Sequence, residues 1–148
     1  MKEIYLLTDY KNRFGSKHDD QPYRSGMDHQ LLRNALMDEG YLAKFISINS
    51  VNLRDEDWKE RIVLYTSAED KGLVYKQYIE DIVFSLELAG ARVIPSFKYL
   101  RAHNNKVFME LLRDLLPSEQ RGNLVSFHFG TAEELTAHID RIDFPVVV

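Results

Sequence analysis

The chain has 148 residues, 45% of them hydrophobic, with 19 Lys and Arg against 23 Asp and Glu, a formal net charge of -4 and no Cys. That length buries one ordinary core and hardly two. The acidic balance argues against a nucleic-acid surface, which needs clustered cations to displace counterions from phosphates, and the lack of Cys removes disulfides, thiolate chemistry and cysteine metal sites. Only Ile4-Tyr5-Leu6-Leu7 precedes the polar Thr8-Asp9, too short a run for a signal-peptide core. The stretch 82–91 is interrupted by Glu87 and falls short of the roughly 20 apolar residues that span a bilayer. The expectation is a cytoplasmic protein with no membrane and no nucleic-acid partner.

Taken in chain order, residues 4–7 read as a strand. An amphipathic helix follows with Met27, Leu31, Leu32, Ala35 and Leu36 on one side, Ser25 and Asp28 spaced as a capping box, and Gly40 as the left-handed residue beyond its end. Residues 44–48 and 61–66 are the next strands, separated by a polar run, 52–60, whose Trp58 is expected to fold back onto the core. A long helix from about Gly72 carries Leu73, Val74, Tyr78, Ile79, Ile82, Val83, Leu86 and Ala89 as a wide apolar stripe, and Gly90 closes it. Residues 92–94 form a short strand stopped by Pro95. This alternation predicts an α/β fold, a Rossmann-like parallel sheet with helices on both faces.

From about residue 102 the order becomes helix, strand, helix, strand. Val107, Phe108, Leu111, Leu112 and Leu115 make an amphipathic helix that Pro117 stops; 124–129 reads as a strand; Thr131 and Glu134 form a capping-box pair ahead of Leu135, Ile139 and Ile142. The chain then reaches Phe144-Pro145-Val146-Val147-Val148, the start of a buried strand, and is expected to be the N-terminal part of a longer enzyme. The pattern divides the chain into 1–101 and 102–148.

The run Ala102-His103-Asn104-Asn105-Lys106-Val107-Phe108, followed about forty residues later by Phe144-Pro145-Val146-Val147-Val148, resembles the entrance to the nucleotide domain of the ATP-grasp superfamily. Residues 1–101 resemble, in order and size, the small Rossmann-like domain that precedes it there. The resemblance implies a parent enzyme that uses ATP and Mg²⁺ to phosphorylate a carboxylate, after which an amine or other nucleophile attacks the acyl phosphate. It places Lys106 at the first of two Lys positions that contact ATP phosphate; the second would follow Val148. The family's glycine-rich loop, acidic Mg²⁺ ligands and substrate-activating Arg come later still. Because phosphoryl transfer needs Mg²⁺ and several positioned cations, residues 1–148 alone are expected to be inert.

Ligands of open parallel sheets sit outside the carboxyl ends of the strands. Here those ends are 9–25, 67–71 and 96–103. Asp9, Arg13, Arg24 and Ser67 are therefore the candidate contacts to a small carboxylate substrate, with Arg13, Lys17 and Arg24 able to clamp an anion. Each has a plainer reading beside it. Loop charges are commonly solvated, Lys106 stands at a helix start where a cation is disfavoured unless an anion joins it, and Glu69 and Asp70 read as helix caps. His18, Asp19 and Asp20 lack the spacing of a metal site. His29, His103, His128 and His138 are scattered, and Tyr75 and Tyr78 read as core or interface aromatics. The glycines form neither a dinucleotide fingerprint nor a P-loop, and no Ser sits in a nucleophile elbow. The alternatives to a ligase fragment are a free-standing flavodoxin-like module that binds a small molecule or protein without catalysis, and a structural domain that pairs as a homodimer through its last strand or long helix.

Overall fold

The computed structural model describes residues 1–15, 26–67, 73–122 and 125–142, and the chain divides into two compact units, Met1–Asn104 and Asn105–Val148. Arg24, Lys17, Ser25, the acidic pairs 19–20 and 69–70, His18, Leu124 and the terminal run 144–148 lie outside the described residues, as do the side chains of Leu73 and Val74.

In the first unit, strand β1 (Lys2–Thr8) is followed by helix α1 (His29–Asp38), β2 (Tyr41–Ser47), β3 (Ile62–Tyr65), helix α2 (Leu73–Leu88), β4 (Arg92–Ile94) and helix α3 (Phe97–Asn104). The four strands form one all-parallel sheet in the order β2-β1-β3-β4. The expected Rossmann-like α/β architecture is therefore the observed one. Strand periodicity divides its core. On one face Tyr5, Leu7, Val63, Tyr65 and Val93 pack with Ile79, Val83 and Leu86 of α2. On the other, Ile4, Leu6 and Ile62 pack with Leu32 and Leu36 of α1. Burial of each such side chain contributes roughly 1.5–3 kcal/mol.

Backbone pairing lengthens β1 and β2 beyond their apolar centres. Glu3 lies in the ladder opposite Leu42, and its carboxylate meets Lys44 Nζ at 2.5 Å. That pair, with a hydrogen bond from Tyr5, holds the Glu3 carboxyl below its ordinary range and Lys44 above its own. Ile48, expected at the end of β2, instead enters a 3₁₀ turn (Ile48–Ser50) capped by Ser47. Trp58 is buried on the core, donating its indole N–H to the Asn52 carbonyl at 2.8 Å and meeting Tyr5 edge-on. Helix α1 differs from its expected cap: Asp28 itself is the N-cap, its carboxylate accepting from the N–H groups of Gln30 and Leu31, and Met27 and Leu31 are exposed. Helix α2 ends in a Schellman motif, in which Ala91 N–H bonds the Leu86 carbonyl at 3.0 Å and Gly90 N–H the Glu87 carbonyl at 2.9 Å. Gly90 has φ +84, a conformation that disfavours a side chain.

In the second unit, helices α4 (Lys106–Asp114), α5 (Ser118–Arg121) and α6 (Ala132–His138) are followed by a 3₁₀ turn (Ile139–Arg141). The single helix expected from residue 102 is two helices, because the Asn105 side chain accepts the Phe108 N–H and starts α4 afresh. The strand expected over 124–129 is not formed by 125–129. Val125 and Phe127 are exposed and no strand pairs with them among the described residues. Thr131 caps α6 as expected, while Glu134 reaches back to the Gly130 N–H at 2.6 Å. Among the described residues, no helix is long and apolar enough to cross a membrane.

Candidate functional site

The crossovers leave β1 in opposite directions, to β2 on one side and, by way of β2, to β3 on the other. Such a reversal opens a crevice at the carboxyl ends of the two central strands. After β1 the chain turns back at once. Asp9 N–H bonds the Arg13 carbonyl at 2.9 Å, and the Asp9 carboxylate accepts the N–H groups of Lys11 at 2.9 Å and Arg13 at 2.8 Å. Asn12 takes φ +59 within this turn, where Asn is among the few tolerated side chains. Asp9 and Arg13 are thus brought together, with one Asp9 oxygen shaping the loop as an Asx turn does.

Further bonds fix the loop to both neighbours of β1. The buried Thr8 hydroxyl reaches the Ile46 carbonyl of β2 at 3.2 Å, and Gly15 N–H reaches the Thr66 hydroxyl beyond β3, also at 3.2 Å. Tyr10 N–H donates to the Tyr75 hydroxyl at 3.0 Å, and the two rings meet edge-on. Burial pushes the Tyr75 phenol above its ordinary value. Tyr75 is therefore a clasp between α2 and the β1 loop.

Ser67, just past β3, lines an open cleft of about 250 Å³ with Tyr65, Pro95, Tyr99, Leu100 and His103. Helix α3 supplies one wall, and Glu87 of α2 holds that helix in place by accepting the Phe97 N–H at 2.5 Å. A carboxylate suits the positive end of a helix, which explains the acid that interrupts the apolar run 82–91. Two turns earlier in α2, Glu80 receives Arg101 at 3.2 Å and Asn104 Nδ2 at 2.6 Å. Tyr65 is buried in the cleft wall, and burial, with the charges of Glu87 and Glu80 added, pushes its phenol well above the ordinary tyrosine value. It stays a neutral hydroxyl throughout the physiological range.

Lys106 is the first residue of α4, exposed and without an ion pair among the described residues. It belongs to the second unit, whereas Asp9, Arg13 and Ser67 belong to the first. Among the described residues, no group of three or more His, Asp or Glu could hold a metal ion, so these side chains do not by themselves fit Mg²⁺. Sequence reasoning overlooked Tyr65, Tyr99 and Glu87. Tyr65 closes a strand and Tyr99 precedes His103 by one helical turn, a spacing that could have joined them. Comparison of the chain with protein-family models, curated proteins and solved structures returned no match.

Proposed function

We propose that this chain is the substrate-side unit and nucleotide-domain entrance of an ATP-grasp ligase, which activates a small carboxylate as an acyl phosphate. The observation that carries the reading is the junction at residues 104–106. An all-parallel α/β unit closes at Asn104, and the next residue caps a new helix whose first residue is an exposed Lys. A helix N-terminus and an exposed cation together suit a phosphate. In the proposed reaction a carboxylate oxygen attacks the γ-phosphorus, ADP leaves, and a nucleophile then displaces phosphate from the acyl carbon. Lys106 would contact ATP phosphate, and the C-terminal edge around Asp9, Arg13 and Ser67 would face the carboxylate substrate. The described residues supply no Mg²⁺ site, so no step is assigned to the ion here.

The test uses the complete gene product. With ATP, Mg²⁺ and a panel of small carboxylates, ADP release should depend on one carboxylate class, and hydroxylamine should trap its acyl phosphate as a hydroxamate. Lys106→Ala should raise the ATP KM by about 10- to 100-fold, the equivalent of a charge-assisted hydrogen bond of roughly 1.5–3 kcal/mol. A panel that elicits no ADP, or a KM unmoved by the substitution, would overturn the proposal. Small-molecule binding without any ADP release would favour the second reading, a non-catalytic module, for which the cleft on the first unit is the supporting observation.

A further inference from the structure

The second unit lacks what holds the first one together. In Met1–Asn104 the two faces of the sheet bury Leu6, Leu7, Val63, Ile79, Val83 and Leu86, whereas none of the described residues of Asn105–Val148 is buried. Leu115 is 81% exposed and Val125 76%, and Val107, Leu111, Phe127 and Leu135 are exposed with them. A lone exposed Leu is ordinary. A unit in which no apolar side chain finds a buried counterpart gains little from the hydrophobic effect, the dominant favourable contribution to folding.

Local structure does not replace that contribution. Helix α4 has nine residues, α5 four and α6 seven, all below the roughly 12–15 residues at which even good helical sequences are marginal in water. Asn105 and Thr131 cap α4 and α6, yet a cap satisfies a backbone donor and buries no apolar surface. Ser126 ties the segment 125–129 to α4, its hydroxyl donating to Glu110 at 2.6 Å and accepting from Arg113 at 3.0 Å. Glu110 and Arg113 also pair with each other at 2.6 Å, three residues apart, a contact that steadies α4 alone. Two residues beyond Ser126, His128 Nε2 is closed to water with no hydrogen-bond partner among the described residues, which works against the folded state.

We infer that helices α4 to α6 form a conditionally folded element, held by the Glu110–Ser126–Arg113 latch in place of a core and opening locally while the sheet of Met1–Asn104 stays closed. Units of one chain open with free energies that run from near zero to the global value, according to the buried apolar contacts each contains. Here the division falls at Asn105, between a unit with two apolar clusters and one with none among its described residues. The element samples its helices and becomes fully ordered only when its exposed apolar side chains are covered. The inference goes beyond the ligase reading and does not depend on it. Its readout is amide exchange in the 148-residue chain without nucleotide, whereas the ligase reading stands or falls on ADP release.

Hydrogen exchange followed by NMR on the 148-residue chain tests this residue by residue. Amides of β1, β3 and α2 should be protected at least about 1,000-fold, the lower end of the folding equilibrium constants of small domains. Those of α4 and α6 should be protected less than about 10-fold, as opening free energies near zero require. Ser126→Ala, which removes the hydroxyl between Glu110 and Arg113, should lower the helical ¹³Cα shifts of α4 and leave those of α2 unchanged. Leu111→Ala and Leu135→Ala truncate exposed side chains and should move the main thermal transition by no more than about 2 °C. Protection of α4 or α6 beyond about 10-fold, protection of β1 short of about 1,000-fold, α4 shifts unmoved by Ser126→Ala, or a larger fall in Tm from either Leu variant would each overturn the inference.

Discussion

Glu87→Ala tests whether one acid in an apolar helix fixes the wall of the cleft. In the native chain its carboxylate accepts the Phe97 N–H at 2.5 Å at the first residue of α3, and both residues are half-buried. A hydrogen bond to a charged group contributes about 1.5–3 kcal/mol, and an acid at a helix N-terminus about 0.3–1 kcal/mol more. Solvent screening of a half-exposed carboxylate reduces the sum, and about 2 kcal/mol is expected for Glu87→Ala. For a unit the size of Met1–Asn104 that corresponds to a fall in Tm of roughly 8–16 °C. Glu87→Gln keeps the acceptor and loses the charge, so about 1 kcal/mol is expected. Urea denaturation followed by circular dichroism measures both. An Ala variant within about 0.5 kcal/mol of wild type, or a Gln variant as damaged as Ala, would refute the capping argument.

Two further outcomes follow from the same geometry. Asp9→Ala, which removes an acceptor from the N–H groups of Lys11 and Arg13, should destabilise by about 1–2 kcal/mol, while Asp9→Asn should retain most of that in urea denaturation; equal losses in both would show that the carboxyl oxygen does not shape the turn. Tyr65, whose folded pKa lies above its unfolded value, contributes stability that is complete below about pH 10 and lost as pH rises beyond it. Tyr65→Phe should therefore flatten the alkaline decline of Tm above about pH 10, and an unchanged slope would contradict the burial argument.

Periodicity and punctuation determined much of this protein before any coordinates. The apolar stripe Ile79, Val83 and Leu86, the unbroken apolar run Ile62-Val63-Leu64-Tyr65, and Gly40 and Gly90 beyond two helices are local signals, because burial and left-handed backbone are imposed residue by residue. They suffice for a parallel α/β unit with Trp58 in its core. Tertiary structure alone decided the rest. Glu3 joins a strand because Leu42 lies opposite it, and 125–129 forms none because a strand exists only through its neighbour. Asn105 splits one expected helix because a side-chain oxygen reached a backbone N–H three residues on. The cleft gathers Tyr65 and Ser67 from the end of β3 and Tyr99 and His103 from α3, two segments that no sequence period relates to each other. Their meeting is set by strand order and by Glu87 holding α3, a non-local packing outcome that no sequence window contains.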